Sequence, residues 1–238
     1  MTDCLFLRFR DMLKNTVHEH NTIARQSNEG KVLWGWWKKE SEPFPDPYLS
    51  DLREALERGG VTDIFFVNSG NKKLYQAKLY RIHYHPNKKA FCPGEANDMC
   101  PSYYNKNDLF AWFEVSELTE IEPSKIEDYI FSTQNSTYLA NNKDTSAISP
   151  SRIGQPIDTH DFTFLGDNVS LWFICKKEDL KTTAIKIFPS IFNKTYLTRG
   201  KYILHLSDLH FGKHHAFAID KEKKYYSWKT NTFRCTLS

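Results

Sequence analysis

The sequence predicts an α+β protein: a compact, mixed, barrel-like domain followed by the first strand of an α/β domain. Three observations carry that prediction. Short strand-like apolar runs dominate residues 1–175, with two or three helical stretches between them. Clusters of Gly, Pro and Asn separate the runs, and closing such a sheet on itself would protect its edges. Near residue 200 the pattern changes, and Tyr202-Ile203-Leu204-His205-Leu206 reads as a buried strand running into Ser207-Asp208-Leu209-His210-Phe211-Gly212. The predicted division is a domain over 1–180, a linker over 181–200 and the start of a second domain over 201–238.

Leu5 to Phe9 alternates apolar and polar residues as a short strand does. Residues 11–28 carry Met12, Leu13, Val17 and Ile23 at roughly helical spacing, and Gly30 ends the segment. Lys31 to Lys39 is a strand with three tryptophans in four positions. After Pro43, Pro45 and Pro47 a helix runs to Arg58 and stops at Gly59-Gly60. Val61–Asn68 and Lys73–His85 form a hairpin about Ser69-Gly70-Asn71. Neither face of its second strand is cleanly apolar, so burial is expected to change along it. Residues 86–107 read as loop, Asp108–Leu118 as strand, Pro123–Glu127 as a short helix, 132–161 as a long polar loop, and Val169–Cys175 as the last strand of the domain. No repeat recurs at a fixed period.

Hydrophobic residues make up 40% of the chain and aromatics 15%, enough for a real core. The net charge of +3 is uneven: from Lys213 onward six Lys or Arg face two Asp or Glu, so residues 1–212 carry −1. Overall basicity is therefore poor evidence for nucleic-acid binding by the body, and any such surface has to come from local clustering. Arg8, Arg10 and Asp11 interrupt the N-terminus before a leader's apolar region can form, and no run is long enough to span a bilayer. With five scattered cysteines, the expectation is a reduced, cytoplasmic protein with no membrane partner.

Trp34, Trp36 and Trp37 are the foremost candidates for function. On a strand Trp34 and Trp36 point one way and Trp37 the other, and Gly35 leaves room for a backbone or flat ligand. Core packing and an aromatic platform for bases or cationic groups are both open readings. The layout resembles the PUA superfamily, which includes EVE, YTH and ASCH domains: early helices around an aromatic strand, the hairpin Val61–His85, and Leu109-Phe110-Ala111-Trp112-Phe113-Glu114-Val115 before an acidic turn. The resemblance implies a compact barrel that grips a flipped or modified base. It makes Trp34, Trp36 and Trp112 ligand-binding candidates, and Lys38, Lys39, Lys72 and Lys73 candidate phosphate contacts. From the residues alone, solvated surface is the preferred reading of Lys38-Lys39.

Asp208 and His210 stand two apart where an apolar strand stops, the end at which open α/β sheets place their ligands. This resembles the first motif of the calcineurin-like metallophosphoesterases, whose Asp and His hold one metal of a two-metal site. The resemblance implies divalent cations, manganese or similar, in a complete enzyme. Only 28 residues follow His210, and none of the family's later Asp, Asn and His motifs occurs among them. The expectation is thus a fragment, inactive alone, cut or terminated just after its catalytic domain begins, with Lys221–Lys224 and Tyr225-Tyr226 in a frayed tail. Cys92 and Cys100 with His83 and His85 are a further candidate cluster, for zinc, although Cys-x7-Cys is wider than usual finger spacing.

The function expected from these residues is a recognition module for nucleic acid at the front of a metallophosphoesterase. Its alternatives are a non-catalytic interaction or oligomerisation domain with tryptophans at the interface, and an enzyme that assembles its metal ligands between chains.

Overall fold

A computed structural model describes residues 3–11, 15–92, 98–104, 107–136 and 148–179, together with two short strands at 218–220 and 225–227. The chain divides into two compact units, Met1–Ile187 and Phe188–Ser238. The first unit holds β1 (Cys4–Phe9), α1 (Thr16–Gln26), β2 (Val32–Trp36), α2 (Tyr48–Glu57), β3 (Thr62–Asn68), β4 (Leu74–His83), β5 (Ala111–Val115), β6 (Thr119–Ile121), β7 (Tyr129–Phe131) and β8 (Leu171–Lys176). All eight strands lie in one mixed sheet. Its order is β2-β5-β4-β3-β1-β8-β7, with β6 paired to the start of β4. Among the described strands, β1 with β3 is the one parallel ladder and the other ladders are antiparallel.

The sheet is strongly curled. β2 and β7 end the hydrogen-bonded path and do not pair, so the ladder itself does not close as the sequence suggested. Side chains do what the ladder does not. Trp34 on β2 packs against Phe9 at the end of β1 (ring centroids 5.1 Å) and Phe66 on β3 (4.5 Å). The Trp36 indole N–H donates to Ser170 Oγ, just before β8, at 2.9 Å. The other face of β1 and β8 is packed with Phe6, Phe131, Phe164 and Trp172, whose rings meet at centroid distances of 5.4 to 6.4 Å. Each such fully buried side chain contributes roughly 1.5–3 kcal/mol of burial free energy.

The two helices cover the sheet. α1 turns His20, Asn21 and Ala24 inward, and Asn21 bonds both the N–H and the C=O of Leu118 at 2.8 Å, which fixes the helix to the β5–β6 connection. α2 buries Leu49, Leu52 and Leu56. The strand β4 shows why its alternation looked mixed. Its register against β5 shifts between Leu79 and Arg81, so the inward positions change from Ala77 and Leu79 to Ile82. A bulge of this kind moves every later side chain to the other face.

β7 lies at the head of the stretch that reads as polar loop. It pairs with β8 and is bridged by Pro156 and Ile153 on its other edge. The second unit contains an antiparallel pair, Ala218–Asp220 with Tyr225–Ser227, so Tyr225 and Tyr226 belong to a strand rather than to a frayed tail.

Candidate nucleic-acid interface

A cavity of about 960 Å³ occupies the place where the curled sheet stays open, between β2 and β1. Leu7, Arg8 and Phe9 of β1 form one side and Trp34, Gly35 and Trp36 of β2 the other. The connections after them add Arg10, Asp11, Trp37 and Lys39. Thr16, Ser69, Tyr103, Tyr104, Asn107, Leu165 and Ser170 complete the lining. Its charged lining is three cations, Arg8, Arg10 and Lys39, against the single carboxylate of Asp11. Asp11 is itself engaged, accepting from the Thr16 N–H and hydroxyl at the start of α1.

Trp34 and Trp36 are both in the lining, but as floor. They are 3% and 2% exposed. Besides Phe9 and Phe66, Trp34 packs against His20 at 4.4 Å, which leaves almost none of its surface for a stacked base. Trp37, on the opposite side of the strand, is 59% exposed and keeps an open ring at the mouth. Trp112 is not part of the cavity. It is wholly buried in a second cluster with Leu33, Cys100, Tyr104 and Leu109, and its indole N–H donates to the Phe91 carbonyl. Gly35 faces that cluster too. A Cβ there would lie 2.1 Å from Leu109 Cδ1 and 3.1 Å from Trp112, so the missing side chain makes room for neighbours and not for a ligand.

Of the four lysines, only Lys39 reaches the cavity. Lys38 turns to the carbonyls of Lys39 and Glu42 and over the Phe110 ring. Lys72 donates to the Asp161 carbonyl beside Phe162, and Lys73 pairs with Glu120 at 2.9 Å. His83 sits 3.6 Å from Glu114, burial pushes the Cys100 thiol up to about 12, and no three His, Cys, Asp or Glu among the described residues converge on a metal position. Asp208 and His210 lie outside the described residues.

Sequence reasoning missed the groups that hold the cavity wall. Glu42, 1% exposed, accepts four hydrogen bonds, two per carboxylate oxygen. Its Oε1 takes the Ser170 N–H (2.8 Å) and the Leu171 N–H (3.2 Å), and its Oε2 takes the Ser170 hydroxyl (2.7 Å) and the Lys39 N–H (3.2 Å). Burial raises its pKa against the pull of these donors. The Ser170 hydroxyl thus accepts from Trp36 and donates to Glu42, joining β2, the 39–42 turn and β8. Nothing in Glu40-Ser41-Glu42-Pro43 signals this. Arg8 and Arg10, read in the sequence only as interrupting a leader, were missed too; the signal that could have found them is their alternation with Leu7 and Phe9 at the carboxyl end of a strand.

A family model described as Pua-like matches residues 5–184. The chain belongs to the Pua-like family. No curated protein and no solved structure matches it. Pua-like domains are generally nucleic-acid recognition modules, and the curled eight-stranded sheet with few helices agrees with that family. No described helix of this Pua-like protein is long and apolar enough to cross a membrane.

Two predictions follow from the Pua-like wall. Ser170→Ala orphans the buried Trp36 N–H and strips one donor from Glu42, and should cost about 1–3 kcal/mol in a denaturant titration. His20, stacked on Trp34, is held by burial at a pKa of about 4, against 6.5 when unfolded. Protonation then favours the unfolded chain, so stability that is full above 6.5 is lost as pH falls toward 4. Relative to His20→Phe, the protein should lose about 1.4 kcal/mol per pH unit across that window. A flat difference from neutral pH down to the window's lower end would show an accessible imidazole instead.

Proposed function

We propose that this chain's 1–180 domain reads nucleic acid at the mouth of the β1–β2 cavity. The supporting observation is the combination found there: three cations against one carboxylate, beside an open tryptophan. Trp37 is the stacking face, with the half-buried Tyr103 inside the mouth. Arg10 and Lys39, both exposed, are the phosphate contacts. Trp34 and Trp36 shape the floor. This arrangement suits an anionic aromatic ligand and works against a cationic one such as a methylated amine. A modified base is the finer form of the same proposal.

Equilibrium binding of the full chain to DNA and RNA panels, with and without base methylation, tests it. Affinity should fall steeply with salt. Trp37→Ala should weaken binding by about 1–3 kcal/mol, and Arg10→Ala should flatten the log–log salt slope by about 0.7–0.9. Binding that is absent or indifferent to salt across the panel would overturn the reading. The exposed Trp37 also suits a protein interface, the competing account. A Trp37→Ala change that alters light scattering while nucleic-acid binding is unaffected would favour that alternative.

The proposal extends to the rest of the chain. Residues 201–238, joined through 181–200, are read as the start of a divalent-metal phosphoesterase, with Asp208 and His210 as ligands to manganese or a similar ion. A carboxylate oxygen and an imidazole nitrogen are donors such ions accept. Such ions, when bound, would activate a water for attack on a phosphate ester. The scattered thiols fit the cytoplasm as its setting. Manganese titration of the full chain, followed by equilibrium dialysis, should show uptake that Asp208→Ala abolishes. Equal uptake by the variant would remove the metal assignment and leave the nucleic-acid reading standing.

A further inference from the structure

The cavity offers charge at the depth where a gripped base would need a ring face. Trp34 and Trp36 are consumed by packing, while the half-buried Arg8 remains in the lining. The Arg8 guanidinium is anchored from behind. Its Nη1 donates to the Leu165 carbonyl at 2.6 Å and to the Asp167 carbonyl at 3.4 Å, and its backbone N–H bonds the Ser170 carbonyl at 2.8 Å. An arginine fixed in this way loses little side-chain entropy when it meets an anion.

Lys39 lines the same cavity, and its backbone is fixed by Glu42. Burial lowers the Lys39 pKa and the nearby Arg8 charge lowers it further, partly offset by Glu42. Both cations line one cavity, burial disfavours the charge of each, and nearby carboxylates offset that only in part, so an anion placed between them completes the compensation. Trp37, in the lining of the same cavity, keeps its ring exposed.

We propose that the nucleotide enters phosphate first: a phosphate group lies between Arg8 and Lys39 inside the cavity, and the attached base stacks on Trp37 at the rim. The inference rests on the nucleic-acid reading above and fixes the orientation of the ligand within that site. The phosphate is either a terminal monoester or an internal diester of the strand. An internal diester requires the backbone to pass along the opening between β1 and β2, whereas a monoester needs only an end.

The test uses the full chain and a short, 3′-labelled single strand carrying either a 5′-phosphate or a 5′-hydroxyl. Lys39→Gln and Arg8→Gln should each weaken binding about tenfold and flatten the salt slope by about 0.7, the loss of one single-strand phosphate contact. Trp37→Ala should weaken binding with the slope unchanged. A loss confined to the phosphorylated strand identifies a terminal monoester, and an equal loss on both strands identifies an internal diester. Arg8→Gln also removes the bond to the Leu165 carbonyl and is open to misfolding, so Lys39→Gln, at an exposed side chain, decides the matter. Unchanged affinity and slope in Lys39→Gln, with Trp37→Ala still harmful, would overturn the phosphate-first orientation alone. Absence of binding by the unaltered protein would instead remove the nucleic-acid reading beneath it.

Discussion

The buried carboxylate of Glu42 is the constraint on which the open side of this sheet depends. A curled sheet that does not close leaves β2 as an edge strand, with backbone and aromatic surface that water or another chain would contest. Glu42 resolves this by gathering donors from Lys39, Ser170 and Leu171, and through the Ser170 hydroxyl it reaches the Trp36 indole. An ionised carboxylate removed from water is costly unless all its lone pairs are used, and here each oxygen takes two hydrogen bonds. Because the donors come from the 39–42 turn and the start of β8, they can converge only when the sheet is curled. The polar network therefore selects the curvature, while Phe6, Phe131, Phe164 and Trp172 supply the bulk of the burial.

That division of labour explains what the sequence disclosed. The strands were legible because β1, β2, β3, β5 and β8 are nearly all apolar inside runs bounded by turn residues. The changing face of β4 was legible as a puzzle, and the bulge after Leu79 is its solution. β7 was hidden because three residues, Tyr129 to Phe131, carry too little periodicity to stand out from a polar surround. The curl itself was not legible. It depends on Glu42, a residue whose neighbours in sequence suggest only a solvated turn.

The site shows the same pattern. Three tryptophans in four positions drew attention to β2, which lines the cavity, and alternation separated Trp37 from the other two. Alternation does not say which side faces solvent. Trp34 meets His20, Phe9 and Phe66, and Trp36 meets Ser170, so the pair became floor and the lone Trp37 became the exposed ring. Trp112 was drawn in by aromatic usage, although its partner across the β2–β5 ladder is Gly35, whose empty side chain position it fills together with Leu109. Lysine pairs drew attention for their charge density, yet Lys38, Lys72 and Lys73 are each satisfied locally.

What remains for a ligand is set by subtraction. Aromatic surface that has been used to hold the sheet curled cannot also stack a base, and arginine heads that protrude from the end of a strand cannot be buried without partners. At β1 these two pressures meet. Phe9 turns inward to Trp34, while Arg8 is caught by the Leu165 and Asp167 carbonyls near Glu42 and stays on the cavity wall. The opening consequently carries its cations above an aromatic floor, with one open ring, Trp37, beside them.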